Sequence, residues 1–222
     1  MKAFAAVILA AGRGTRMKSD LPKAMQSICG VPMLDYLVRT VKTLRPAKIV
    51  VVAGFGFDRV REFLDGRAAL AHQKLLLGSG HAVRQAEDQL RGFKGPLLVL
   101  YCDTPFISAE LIRGLLKNHR ERDADCTLLS VRLDNPSGYG RIKRASGGAV
   151  EKIVEDADAK AAEKAIREIN VGCYVFKAKQ LYAALKRVQK NQSAGRSLNT
   201  QEQAISAGIS TGEWLYNTSS QQ

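Results

Sequence analysis

The chain of 222 residues carries 34 Lys and Arg against 21 Asp and Glu, a formal charge of +13, with 45% hydrophobic and 25% charged residues. Such a length suits one large α/β domain or a domain with a small appendage, and the composition excludes a disordered or fibrous chain. It holds no apolar run long enough to span a membrane and reads without a secretory leader, so the cytoplasm is the expected compartment.

Cys29, Cys102, Cys126 and Cys173 are scattered, with no C-x-x-C pair and no His at zinc spacing, which speaks against a disulfide framework or a zinc site. The basic residues are spread along the chain with few aromatics between them. A solvated surface that draws anionic small molecules therefore fits better than a nucleic-acid interface.

In chain order, the apolar run over residues 5–11 predicts a buried first strand, with its core at 7–11. Gly12 and Gly14 follow, then Thr15, Arg16 and Lys23. Glycines there let backbone N–H groups face an anion, and two cations over the same spot suit a polyphosphate. The pattern is neither a P-loop, lacking Gly-Lys-Ser/Thr, nor the dinucleotide fingerprint, where Met17 stands at the third glycine. A plain strand-to-helix turn remains the alternative for the two glycines alone.

Helical spacing of Leu34, Leu37, Val38 and Val41 predicts a helix over 33–44, opened by Gly30-Val31-Pro32. A strand is expected over 48–53, a helix over 58–64, and a further helix over 80–90 entered through Gly78-Ser79-Gly80. Residues 96–101 predict a strand ending at Cys102-Asp103-Thr104-Pro105, and 108–122 a helix with Ser108 as its N-cap. Strands are expected at 126–133, 150–154 (after a Gly147-Gly148 hairpin) and 168–176, with a loop or exposed helix over 155–167 and a helix over 179–189. Alternating strands and helices predict an α/β, Rossmann-like three-layer fold around a mostly parallel mixed sheet with a small β insertion. From Arg196 onward Ser, Thr, Asn and Gln dominate, and a loosely held polar tail is expected.

In an open parallel sheet, ligands gather at the carboxyl ends of the strands. That rule groups residues 12–16, 73–80 and 101–104 in one crevice. Asp103, ending an apolar strand, is either a helix cap or a metal ligand. Since Ser108 is the better placed cap, Asp103 is the candidate to hold Mg²⁺ together with phosphate oxygens and water.

The segments L-A-A-G-R-G-T-R-M-K-S-D-L-P-K, G-V-P-M-L, L-G-S-G-H-A, Y-C-D-T-P, G-Y-G-R-I, I-V-E-D and E-I-N-V-G occur in this order. Together they resemble the uridylyltransferase domain of bacterial bifunctional GlmU enzymes, in the sugar-nucleotide pyrophosphorylase superfamily. The resemblance implies transfer of UMP from UTP to N-acetylglucosamine 1-phosphate, giving UDP-N-acetylglucosamine for cell-wall and lipopolysaccharide precursors, with Mg²⁺. It implies that Leu9, Ala10, Ala11 and Gly12 surround the nucleotide, and that Arg16 and Lys23 contact the triphosphate. Gln73, Gly78 and Ser79 would read the uracil, Ser79 standing where the family has threonine. Tyr101 and Asp103 would sit at the centre, and Gly140, Glu155 and Asn170 would hold the sugar and its acetamido group. His81 is taken as structural, because the attacking phosphate has no proton to lose.

Two departures from the family follow. The β-helix acetyltransferase domain is expected to be absent, leaving a nucleotidyltransferase domain over 1–195 and a divergent tail over 196–222. Arg196-Ser197-Leu198-Asn199-Thr200-Gln201 also breaks the family pattern that leads to an asparagine as second Mg²⁺ ligand, so an incomplete metal site and impaired turnover are expected. The competing readings are a nucleotide-sugar binding protein without turnover, a same-fold nucleotidyltransferase for another sugar or base, and a nucleic-acid-binding module. The oligomeric state stays open, because the trimer-forming part of the family is the second domain.

Overall fold

The structure, a computed structural model, describes residues 3–14, 17–191 and 211–216; for 188–191 and 211–216 it describes the backbone alone. Its centre is β1 (Ala5–Ala10), which pairs in parallel with β4 (Lys48–Ala53) on one side and β6 (Pro96–Tyr101) on the other. A short strand, β5 (Ala69–His72), continues the parallel run beyond β4. Across β6 the direction reverses: β10 (Glu168–Lys177) lies antiparallel to both β6 and β7 (Cys126–Arg132). β11 (Thr211–Tyr216) pairs in parallel with β7, giving the order β11-β7-β10-β6-β1-β4-β5.

Two small hairpins complete the strands. β2 (Ser27–Ile28) and β3 (Val31–Pro32) form one, so the segment expected only to open a helix is itself paired. The other, β8 (Arg141–Arg144) with β9 (Val150–Val154), branches from β10 through Ile169 opposite Arg141.

β1 reads as an unbroken apolar run because both of its faces are buried. Ala6, Ile8 and Ala10 point to one layer, against Leu34 and Leu37 of α1 (Met33–Thr43), Val60 of α2 (Phe57–Leu64) and Ile112 of α4 (Ala109–Glu121). Ala5 and Val7 point to the opposite layer, with Val83 of α3 (Ser79–Gln85) and Leu181 of α6 (Ala178–Asn191). Ser108 caps α4, its hydroxyl accepting from the Leu111 N–H at 3.2 Å. Cys102, Cys126 and Cys173 are buried and Cys29 is exposed, all as free thiols.

Some expectations shift. The helix expected over 80–90 stops at Gln85 and resumes as a 3-10 turn over Asp88–Leu90. The charged span before β10 contains one short helix, α5 (Ala161–Lys164). β5 has no sequence signal of its own, and residues 211–216 join the sheet although the polar tail was expected to be loosely held. The expected boundary at 195 and the Arg196–Gln201 departure lie outside the described residues. Among the described residues no helix is long and apolar enough to cross a membrane.

β1, β4 and β6 run the same way, so their carboxyl ends share one rim. β10 runs the other way and brings its amino-terminal half, with Asn170, to that same rim.

Candidate active site

The loop after β1 is shaped by two glycines that do different work. A side chain at Gly12 would meet nothing within 4 Å, so the bare backbone there faces open space. Gly14 has φ +69°, and a Cβ on it would stand 2.9 Å from Lys23 Cβ. Only glycine lets the loop turn and lets Lys23 pass so close. Lys23 then reaches Asp103, its Nζ donating to Oδ2 at 2.6 Å. Asp103 does not cap α4, as expected. Both side chains remain partly exposed, so the pair is open to a ligand.

A cavity of about 290 Å³ opens between the ends of β1 and β6. Leu9, Ala10, Ala11 and Gly12 supply one side, Gln73, Gly78 and Ser79 another, and Tyr101 and Asp103 the floor. Gln73 is 3% exposed; its Nε2 donates to the Gly78 carbonyl at 3.0 Å and lies 3.0 Å from His81 Nδ1. Burial, then the charge of Arg84, lowers the His81 pKa below its ordinary value, so the ring is neutral at pH 7. His81, expected to be structural, lies against Gln73. The Tyr101 hydroxyl donates to Ser79 Oγ at 3.0 Å, tying the β6 end to the start of α3.

A second, wider cavity of about 840 Å³ adjoins the first and shares Gly12, Lys23, Tyr101 and Asp103 with it. Gly140, Glu155 and Asn170 line it. Asn170 sits where β10 bulges against β7, between Asn170 and Tyr174, and Gly172 takes φ +83° there. The bulge turns the Asn170 amide so that Oδ1 accepts from the Gly172 N–H at 3.2 Å and from the Tyr174 hydroxyl at 2.6 Å. The Asn170 N–H donates to the Gly140 carbonyl at 2.8 Å. A Cβ at Gly140 would stand 3.4 Å from Glu155 Oε1, so glycine leaves the carboxylate its room.

Every sequence-predicted site residue that is described lines one or both cavities. Arg16 lies outside the described residues. The sequence did not single out Tyr139, Arg141 or Asp156, although all three stand inside or beside the quoted motifs. Tyr139 lines the second cavity with half its surface exposed, while Arg141 is buried behind it.

No group of three or more His, Cys, Asp or Glu that could cage a metal exists among the described residues. Asp103, the carboxylate common to both cavities, fits a hard divalent cation that takes most of its ligands from phosphate oxygens and water.

A family model described as the MobA-like NTP transferase domain matches residues 6–205. The chain belongs to that family. Among curated relatives, this NTP transferase domain is 47% identical over 190 residues to the bifunctional protein GlmU of Streptococcus thermophilus strain ATCC BAA-491 / LMD-9, covering 86% of the chain and 41% of that protein. It is 50% identical over 192 residues to the bifunctional protein GlmU of Pelotomaculum thermopropionicum, covering 86% of the chain and 42% of that protein. It is 44% identical over 200 residues to the bifunctional protein GlmU of Streptococcus pyogenes serotype M12 strain MGAS2096, covering 90% of the chain and 48% of that protein. The NTP transferase domain thus spans less than half the length of these relatives.

Proposed function

We propose that this NTP transferase domain transfers a uridylyl group from UTP to N-acetylglucosamine 1-phosphate, releasing pyrophosphate and forming UDP-N-acetylglucosamine. The observation that carries the reading is the meeting of a narrow and a wide cavity at Lys23, Tyr101 and Asp103. Its relatives named GlmU support the choice of substrates. The narrow cavity takes the nucleotide, with the glycine loop and Lys23 along the triphosphate. Gln73 is buried and its Nε2 is held by Gly78 and His81, which leaves Oε1 to accept the N3–H of uracil, whereas cytosine has an acceptor at N3. The wide cavity takes the sugar phosphate, whose hydroxyls meet Glu155 and whose acetamido group meets Asn170 and the Gly140 backbone.

An acceptor phosphate oxygen attacks the α-phosphorus of UTP, and the bond from that phosphorus to the bridging oxygen breaks, its electron pair leaving with pyrophosphate. The attacking oxygen is already anionic, so no side chain needs to remove a proton. The protein's task is to align two polyanions and to offset their repulsion with fixed cations. Lys23 stands at the junction of the two cavities and Asp103 holds it there, 2.6 Å away. Mg²⁺, held by Asp103 with phosphate oxygens, would supply further neutralisation of charge on the reacting phosphates.

The test is pyrophosphate release from UTP with and without N-acetylglucosamine 1-phosphate, repeated with CTP, ATP and GTP and with other sugar phosphates. Release that requires both named substrates supports the proposal. Release with another base or sugar, or UDP-N-acetylglucosamine binding with no release, overturns it. Chelating divalent cations should stop turnover and added Mg²⁺ should restore it. A rate indifferent to chelator would remove the metal from the scheme.

A further inference from the structure

Among the described residues Arg141 is one of the largest fully buried side chains, at 2% exposure, and its guanidinium pairs with the Asp156 carboxylate. Its Nη2 donates to Asp156 Oδ1 at 2.8 Å and its Nη1 donates to the Tyr139 carbonyl, while Nε is buried with no partner. Asp156 is one-third exposed. A buried guanidinium with one unmatched donor is a poor way to stabilise a fold, since well-packed apolar residues usually do as well or better. What this pair does is local. Tyr139 and Gly140 precede Arg141 directly, Glu155 precedes Asp156, and Arg141 is paired with Val154 across the hairpin.

The strap formed by residues 137–140 lines the wide cavity and has little else to hold it. Gly138 (φ +83°) has open space around it, and the Tyr139 ring is half exposed. Segments with few apolar contacts open easily unless polar ties retain them. Within the turn, Tyr139 N–H donates to the Pro136 carbonyl and Ser137 N–H to Asn135 Oδ1, each at 3.2 Å; the ties to the rest of the sheet are the Arg141 bond to the Tyr139 carbonyl and the Asn170 N–H to the Gly140 carbonyl. The first of these two runs through the guanidinium that Asp156 holds. Hydrogen bonding from Arg141, then the Gly138 backbone, also holds the Asp156 carboxyl below its ordinary pKa, so it is a carboxylate at neutral pH.

We propose that Arg141 and Asp156 are positioning residues that clamp the Tyr139–Gly140 strap to the Glu155 corner and thereby set the affinity for the sugar-phosphate acceptor without touching the nucleotide side. The inference rests on the acceptor reading of the wide cavity, and its first measurement does not depend on that reading.

Hydrogen exchange over residues 137–140, in the full chain and in Asp156→Ala, tests the clamp directly. Exchange in the strap should rise at least tenfold while β1 and β6 keep their protection. An unchanged strap overturns the proposal whatever the enzyme does. The second measurement separates KM for N-acetylglucosamine 1-phosphate from KM for UTP in Asp156→Ala and Asp156→Asn. The acceptor KM should rise at least fivefold in Asp156→Ala and less in Asp156→Asn, which keeps an oxygen acceptor for Arg141, with the UTP KM within twofold. Equal rises in both KM values, or none, overturn the acceptor role. If the unaltered protein shows no turnover with these substrates, the acceptor reading falls, and strap exchange still decides the clamp.

Discussion

Single residues carry this site through what they leave open as much as through what they donate. Gly14 matters because Lys23 passes 2.9 Å from where its Cβ would be, and Lys23 matters because it stands between two cavities. Under the proposed function, replacing Lys23 with Ala removes a fixed cation from the junction where the phosphates of both substrates would meet. Turnover should fall by about a hundredfold or more, the scale of losing one donor to a developing charge. Because the Lys23–Asp103 pair is partly exposed, the melting temperature should move little. A Lys23→Ala protein of near-normal rate would remove Lys23 from the mechanism. Asp103 itself was legible in the sequence as a carboxylate after an apolar strand, and its ammonium partner 80 positions earlier was not.

Elements decide where those residues point. β10 is read from sequence as one apolar strand, yet its bulge after Asn170 is what turns the amide toward the wide cavity. The sign of that bulge in the sequence is Gly172. Its φ of +83° favours glycine, and so does the Tyr101 ring, which a Cβ there would approach to 3.1 Å. Gly172→Ala should lower stability by about 1–3 kcal/mol in denaturant titration and raise the acceptor KM, because both the backbone strain and the push on Tyr101 fall at the cavity floor. Unaltered stability together with an unaltered KM would show that the bulge does not need glycine. β5 escaped the sequence reading for a different reason. Four residues are too few for a period to show, and β5 exists because β4 offers it an edge to pair with.

At the scale of the whole molecule, burial of ionisable groups ties stability to pH. His119 of α4 is packed against Thr127 of β7, Nδ1 to Oγ1 2.9 Å, and is 3% exposed. Burial, then the charges of Lys177 and Arg120, pushes its pKa down to about 4. Between the ordinary value of 6.5 and that value, the unfolded chain binds more protons at this site than the native protein. Stability from neutral His119 is therefore complete above pH 6.5 and is lost as the pH falls toward 4. The loss should be on the order of 3 kcal/mol, visible as a falling melting temperature. A His119→Gln protein should show a flatter profile over the same range. Parallel profiles for the two proteins would assign acid sensitivity elsewhere.

The chain's own order of residues determined the alternation of strands and helices, the glycine loop, the Ser108 cap and the ordered motifs that mark the family. These are local matters, set by periodicity and by the backbone freedom of neighbouring residues. Tertiary structure alone decided that Lys23 meets Asp103, that an antiparallel β10 carries Asn170 to the rim of the parallel strands, and that Arg141 turns inward to hold a strap. Such contacts join residues far apart in the chain, and they are fixed by how whole faces pack against one another, a quantity that no short stretch of sequence contains.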